Sequence, residues 1–341
     1  MKAYRFSLML FALAIVLIFC IGCDSEIKEN QREVSKTFVG FSKSGLEIAN
    51  GDLKESGAVF EDTVVEFQDP VIEEMLRTIL GILEGDVYRS DLRKIHAIYY
   101  RMNGYFSDLQ SADGNLPPER TEWYLSGDIS SLEDLALCDN LQWLEFGSRQ
   151  LPSLEPLQRL PQLEHISFHS TVLSRDRLEE LVRLPALNSL DLDLRAFSAN
   201  YTETGTENDT TGDGTFILPL ADQLTFLEVD HKMTWPPEIL AQLTKLEYLS
   251  IDAPEDLCFI ASMPNLTHLH VANYDQDWSG LSKAESLVYL ALTKCEGITL
   301  DDVRPLVNLE QLNLTMTNFT PVAWKEDVIE ALPSLTGFCL Q

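Results

Sequence analysis

Residues able to do chemistry fall in a periodic arrangement. Carboxylates sit at Asp191, Asp193, Glu228, Asp230 and Asp252, with Glu145 further back. Imidazoles come as two pairs, His165 with His169 and His268 with His270, each pair spaced for one face of a strand. Large aromatics stand at Trp143, Phe226, Tyr248 and Tyr289. Asp191 and Glu228 imitate the acid pair of a glycoside hydrolase, which needs an acid and a base flanking one bond. His268 and His270, two apart, could share a metal ion. Asp209, Thr211, Asp213 and Gly214 echo a calcium loop, but Leu220 stands where the bidentate acid belongs. No G-x-S-x-G, H-E-x-x-H or phosphate-loop string accompanies them. Cys138, Cys258, Cys295 and Cys339 form no C-x-x-C pair that would hold zinc or run thiol exchange. The residue types therefore favour recognition over catalysis, with no cofactor and no metal expected.

The elements that position these groups are short repeats. The string Leu-x-x-Leu-x-Leu, with conservative replacements, starts at Leu141, Leu163, Leu187, Leu224, Leu246, Leu266, Leu287, Leu309 and Leu335. Seven of the eight intervals are 20 to 26 residues long, and the exception is 37. In Leu-x-Leu the two apolar residues share one face of a strand and the residues beside them share the other. A single coil cannot bury its leucines alone, whereas stacked coils share a dry spine. Each buried Leu or Ile then contributes roughly 1.5–3 kcal/mol. Pro161, Pro185, Pro264 and Pro333, two residues before the leucine that leads into a strand, are expected to end the returning segment.

The repeat predicts three outward columns. The first is Trp143, His165, Ser189, Phe226, Tyr248, His268, Tyr289, Gln311 and Gly337. The second is Glu145, Ser167, Asp191, Glu228, Ser250, His270, Ala291, Asn313 and Cys339. The third is Gly147, His169, Asp193, Asp230, Asp252, Ala272, Thr293 and Thr315. Aromatic anchors with a polar surround are how protein interfaces gain affinity, and the acids would select a basic segment. The expected ligand-binding set is Trp143, Glu145, His165, Asp191, Asp193, Phe226, Glu228, Asp230, Tyr248, Asp252, His268, His270 and Tyr289.

The pattern resembles the leucine-rich-repeat family. The layout resembles the internalin-like bacterial surface proteins through Val65–Arg77, Ser90–Ile95 and Asp128–Leu135. That resemblance implies an α/β leucine-rich-repeat solenoid: parallel β-strands on the concave face, helix or turn segments on the convex face, and an N-terminal helical cap. It also implies protein–protein interaction rather than enzymatic activity. The family often carries Asn or Cys three residues after the last strand leucine. Cys295 fits, whereas Arg149, Thr171, Arg195, Lys232, Pro254, Tyr274 and Thr317 depart, so irregular turns are expected there.

Within the cap, Thr63–Gln68 reads as a strand. Asp69-Pro70 opens a helix with Val71, Met75, Ile79 and Ile82 inward, stopped by Gly85. A second helix is expected from Ser90, turning Leu92, Ile95 and Ile98 or Tyr99 inward. The 37-residue interval holds a Thr-, Asn-, Asp- and Gly-rich insertion near 198–215, expected to be a mobile loop.

The N-terminus resembles a bacterial lipoprotein signal. Lys2 and Arg5 precede an apolar run to Phe19 and then Cys20-Ile21-Gly22-Cys23, although Cys20 stands where Leu is usual. The resemblance implies removal of 1–22, a lipid on Cys23, a polar tether over 23–62, a cap over 63–128 and the solenoid over 129–341. The protein would be exported and held on the outer face of a membrane by that lipid only. Removal of Lys2 and Arg5 leaves 23 bases against 54 acids. Such a balance repels phosphate backbones and anionic headgroups, which disfavours nucleic-acid binding. The expected partner is a protein or peptide, with a basic one favoured. A spacer without ligand, or a carbohydrate-binding or hydrolytic surface protein, are the alternatives.

Overall fold

The structure is a computed structural model describing residues 62–101, 104–106, 129–146, 151–169, 175–193, 214–229, 235–318 and 325–340. The lipid site Cys23, the tether, Gly147, Asp230 and most of the insertion lie outside the described residues.

One sheet of eleven strands organises everything from β1 onward. Its strands are β1 (Ala97–Arg101), β2 (Gly104–Phe106), β3 (Trp143–Phe146), β4 (His165–His169), β5 (Ser189–Asp193) and β6 (Phe226–Val229). They continue as β7 (Tyr248–Asp252), β8 (His268–Ala272), β9 (Tyr289–Thr293), β10 (Gln311–Thr315) and β11 (Gly337–Leu340). From β3 to β11 each strand pairs in parallel with the next in sequence, and β1 continues the series on β3. β2 turns back antiparallel on β1 and forms the far edge. The register holds across the long interval, pairing Leu190 with Leu227.

The core lies where the repeat places it. Leu144, Ile166, Leu190, Leu227, Leu249, Leu269, Leu290 and Leu312 are buried on neighbouring rungs. The return segments are short helices or 3-10 turns, such as Glu155–Arg159, Cys258–Ser262 and Trp278–Lys283. Pro161, Pro185, Pro264 and Pro333 all stand in the turns that follow them.

At the N-terminal end, α1 (Pro70–Leu80) begins as the sequence predicts. Asp69 Oδ1 accepts from the Val71 and Ile72 N–H groups, and Val71, Ile72, Met75, Leu76 and Ile79 are buried. The helix ends earlier than expected, at a left-handed Gly81 (φ 68°) rather than Gly85, because Gly81 satisfies two of its last carbonyls. Asp69 also fastens the helix to the first coil: its Oδ2 accepts from Ser130 N and Oγ. Asp134 returns the contact by accepting from the Gln68 and Asp69 N–H groups. Burial opposes the Asp69 carboxylate, but the hydrogen bonds from Ser130, Ile72 and Val71 outweigh it and hold the group below the usual range. Burial raises Asp134, which has no such surplus of donors.

Two expectations for this region fail. The segment 63–68 forms no strand beyond one bridge, Val64 to Tyr88. The second helix, α2 (Arg89–Leu92), is a single turn, and Ile98 belongs to β1. Ile95 and Ile98 are buried as expected, but as a rung of the sheet.

The turns after β7, β8, β9 and β10 are regular rather than irregular, whereas those at Arg149, Thr171, Arg195 and Lys232 lie outside the described residues. Ala253, Asn273, Lys294 and Met316 adopt the same left-handed bend, with φ between 47° and 54°. The backbone supplies the ladder that an asparagine column would otherwise make. Ala253 N–H donates to Ala272 O at 2.8 Å, Asn273 to Thr293 O at 2.9 Å, and Lys294 to Thr315 O at 2.9 Å. Side chains add to it: Cys295 Sγ lies 3.4 Å from Val271 O, and Thr317 Oγ1 donates toward Leu292 O and Thr315 O, each at 3.2 Å.

Candidate functional site

The sheet face opposite the core brings the expected columns together. Strand register runs the first one through Trp143, His165, Ser189, Phe226, Tyr248, His268 and Tyr289. Beside it run Glu145, Ser167, Asp191, Glu228, Ser250 and His270. In the third column His169 pairs with Asp193, and Asp252 with Ala272. Neighbouring strands stand about 4.8 Å apart, so each column is a ladder with that step.

The first column is a stack. Trp143 lies on His165 with centroids 3.4 Å apart and planes 15° off parallel. Phe226 lies on Tyr248 at 4.2 Å and 8°. His268 follows Tyr248 at 6.3 Å and Tyr289 follows His268 at 5.7 Å. His165 meets Phe226 edge-on at 6.2 Å, past the small Ser189. Most ring faces are thus used within the ladder, which leaves ring edges toward a ligand.

This packing changes the expectation of openly wetted columns. Glu145 is 1% exposed, Asp191 2% and His165 5%; Phe226 and Tyr248 are also buried. Regularly stepped large side chains on one face fill each other's space, so part of the ladder is interior in character. The accessible part is half-buried: Trp143, Glu228, Asp252, His268, His270 and Tyr289.

Polar groups in the strip are mutually held. Ser167 Oγ donates to Asp191 Oδ2 at 2.7 Å. His165 Nδ1 is 2.6 Å from Ser189 Oγ. His270 sits between Ser250 Oγ (3.0 Å from Nδ1) and Thr293 Oγ1 (3.1 Å from Nε2). These hydroxyls, Ser167, Ser189, Ser250 and Thr293, stand in the sequence columns but were not among the expected site residues; their place one strand away from an acid (Ser167) or an imidazole (the other three) is the signal that finds them. Burial lowers His268 and His270 to about 4, so both are neutral at neutral pH. Burial and then the Glu228 carboxylate push the Tyr248 phenol well up.

The strip does not gather its histidines. His165 and His268 are on β4 and β8, four strand steps or about 19 Å apart. Asp191 and Glu228 do face each other across adjacent strands. The side chains of Asp193 and His169, and all of Asp230, lie outside what the structure describes.

The sequence matches no protein-family model and no curated protein. Among solved structures, internalin C2 of Listeria monocytogenes strain 4b F2365 is 17% identical, covers 80% of this chain and 93% of its own, and gives a TM-score of 0.41. Internalin F of the same strain is 15% identical, with 81% and 91% covered and a TM-score of 0.42. The rungs themselves decide the fold. The chain is a leucine-rich-repeat solenoid. Its parallel strands are stacked in sequence order, their leucines share one spine, and left-handed bends recur after successive strands.

Proposed function

We propose that this solenoid is an exported, lipid-anchored binding protein that takes a protein or peptide partner on its aromatic and acidic strip, and that it catalyses nothing. The observation that carries the proposal is the run of rings from Trp143 to Tyr289, spaced once by Ser189, beside Glu228 and Asp252. Ring edges carry partial positive charge and suit carbonyl oxygens, while ring faces suit sugars. Here the faces are largely taken. A polypeptide supplies carbonyls for the edges and N–H or basic groups for the carboxylates, so it fits better than a glycan. The chain's excess of acids, 54 against 25 bases, favours a basic segment and speeds its encounter.

The anchor rests on the N-terminal signal, with Cys23 as the lipidated residue and Gly22 before the cut. Among the described residues no helix is long and apolar enough to cross a membrane.

Photo-cross-linking on intact cells tests the strip. A photoreactive residue at Trp143 or Tyr289 is expected to capture a specific polypeptide, and one at Val307, exposed and off the strip, is not. Glu228→Lys is expected to weaken capture at least tenfold. Equal capture from all three positions, or none from any, would refute the site and favour a spacer. Metabolic labelling with an alkynyl fatty acid tests the anchor: Cys23→Ser should abolish the label and Cys20→Ser should retain it.

A further inference from the structure

The strip has a length scale. From Phe226 through Tyr248 and His268 to Tyr289 the ring centroids step by 4.2, 6.3 and 5.7 Å, a mean of about 5.4 Å. An α-helix laid across the strands advances about 5.4 Å per turn, so each turn meets one ring. An extended chain repeats its same-side groups about every 6.7 Å and loses step with the rings. Strands β7 to β10 have five residues each. They offer a width of about 16 Å, and a helix with its side chains is about 10–12 Å across.

Charge gives this stretch a direction. Half-buried Glu228 and Asp252 stand at one end, on β6 and β7. At the other end the outward residues are Tyr289, Ala291 and Thr293 on β9, then Gln311, Asn313 and Thr315 on β10. None of these is a carboxylate or a base, in a chain with 54 acids.

Asn313 supplies the opposite chemistry. It is 9% exposed and pairs in register with the small Ala291. Thr315 Oγ1 donates to its Oδ1 at 3.0 Å. That bond sets the amide, and among the described residues its Nδ2 has no acceptor. An amide nitrogen carries two donor hydrogens, so both are left for an incoming oxygen. A helix matches this gradient end for end. Its first N–H groups and its last carbonyls lack partners within the helix, and its ends carry partial charges of about +0.5 and −0.5.

We infer that the strip takes one α-helix of its partner, laid across β6 to β10, with its N-terminal turn at Glu228 and Asp252 and its last carbonyls at Asn313. The span corresponds to about four helical turns. Apolar side chains three and four apart meet the rings, and N–H groups and basic side chains of the first turn meet the carboxylates. This rests on the strip being the binding face, and it adds the shape and the polarity of what is bound.

The test maps which partner residues meet which ring. Benzoylphenylalanine, an aromatic photoreactive residue, replaces Phe226 in one full-length variant and Tyr289 in another, on intact cells. Mass spectrometry locates the captured residues. A helix sets them about 11 residues apart, with the lower number at Phe226. An extended chain sets them about five apart. That spacing, or the reverse order, overturns the inference and leaves the strip standing as a binding face; no capture from either position overturns both. A synthetic peptide covering the captured segment then titrates the full-length chain. Proline at a central, solvent-facing position of the peptide breaks a helix and should raise the dissociation constant more than about tenfold, whereas alanine there should not. Asn313→Asp keeps the acceptor for Thr315 and sets a negative group beside the helix C-terminus. It should weaken binding about tenfold with the circular dichroism spectrum unchanged. Equal affinity for the proline peptide, or in Asn313→Asp, would also overturn the inference.

Discussion

At the residue scale the turns after the strands show which side chains hold the coils in register. Thr317 Oγ1 serves Leu292 O and Thr315 O, and accepts from Cys295 N–H at 3.4 Å. It is buried, so Thr317→Val keeps the shape but takes the side-chain acceptor from Cys295 N–H and the hydroxyl donor from Leu292 O and Thr315 O, although Thr315 O keeps Lys294 N–H. A loss of about 1–3 kcal/mol is expected, read as a lower midpoint in denaturant. Lys294 makes the opposite case. It sits at φ 54°, where a Cβ is strained, while Asn273 at 51° is of a type that tolerates the region. Lys294→Gly should therefore stabilise by about 0.5–1 kcal/mol and Asn273→Gly by less, both measured by thermal unfolding. This regularity was hidden in the sequence. The family's side-chain ladder is largely missing, and backbone N–H groups, which leave no mark in residue identity, make the bends instead.

At the element scale the coils are held at a distance that single residues guard. A Cβ on Gly280 would stand 2.5 Å from Leu257 O, backbone of the preceding coil. Gly280→Ala must push the 3-10 turns Cys258–Ser262 and Trp278–Lys283 apart, and should cost about 1–3 kcal/mol. A variant as stable as the parent would show that these turns slide freely. The strands themselves were plain in the sequence because Leu-x-x-Leu-x-Leu returns at nearly constant intervals. β1 was missed, although Ile95-x-x-Ile98-x-Tyr100 is the same string. Spacing of three suits a helix face and a rung equally, and the next copy comes 46 residues later, far outside the repeat interval. The strip was legible as columns for the same reason. Its burial was not, since alternation assigns a face but does not say how densely that face packs.

At the scale of the whole molecule the strip couples stability to pH. His268 and His270 titrate near 4 when folded and near 6.5 when unfolded. The unfolded chain therefore binds more protons between those values. The contribution is complete above about pH 6.5 and is lost as the pH falls toward 4, with a slope of up to about 1.4 kcal/mol per pH unit for each histidine. Denaturant midpoints measured from pH 7.5 to 4.5 should fall, and the double change of His268 and His270 to Gln should flatten that fall. An unchanged slope in the double variant would place the titration elsewhere.

From β4 to β10 each strand pairs only with the strand before it and the strand after it. Gain or loss of a whole turn of the spiral is therefore an in-frame event that leaves every surviving neighbour a match. Excision of 246–265 would set Phe226 beside His268 and re-form the spine without a seam. Lineages can thus lengthen or shorten such a ribbon by genetic recombination, and so rewrite the order of groups it displays while never redesigning its interior.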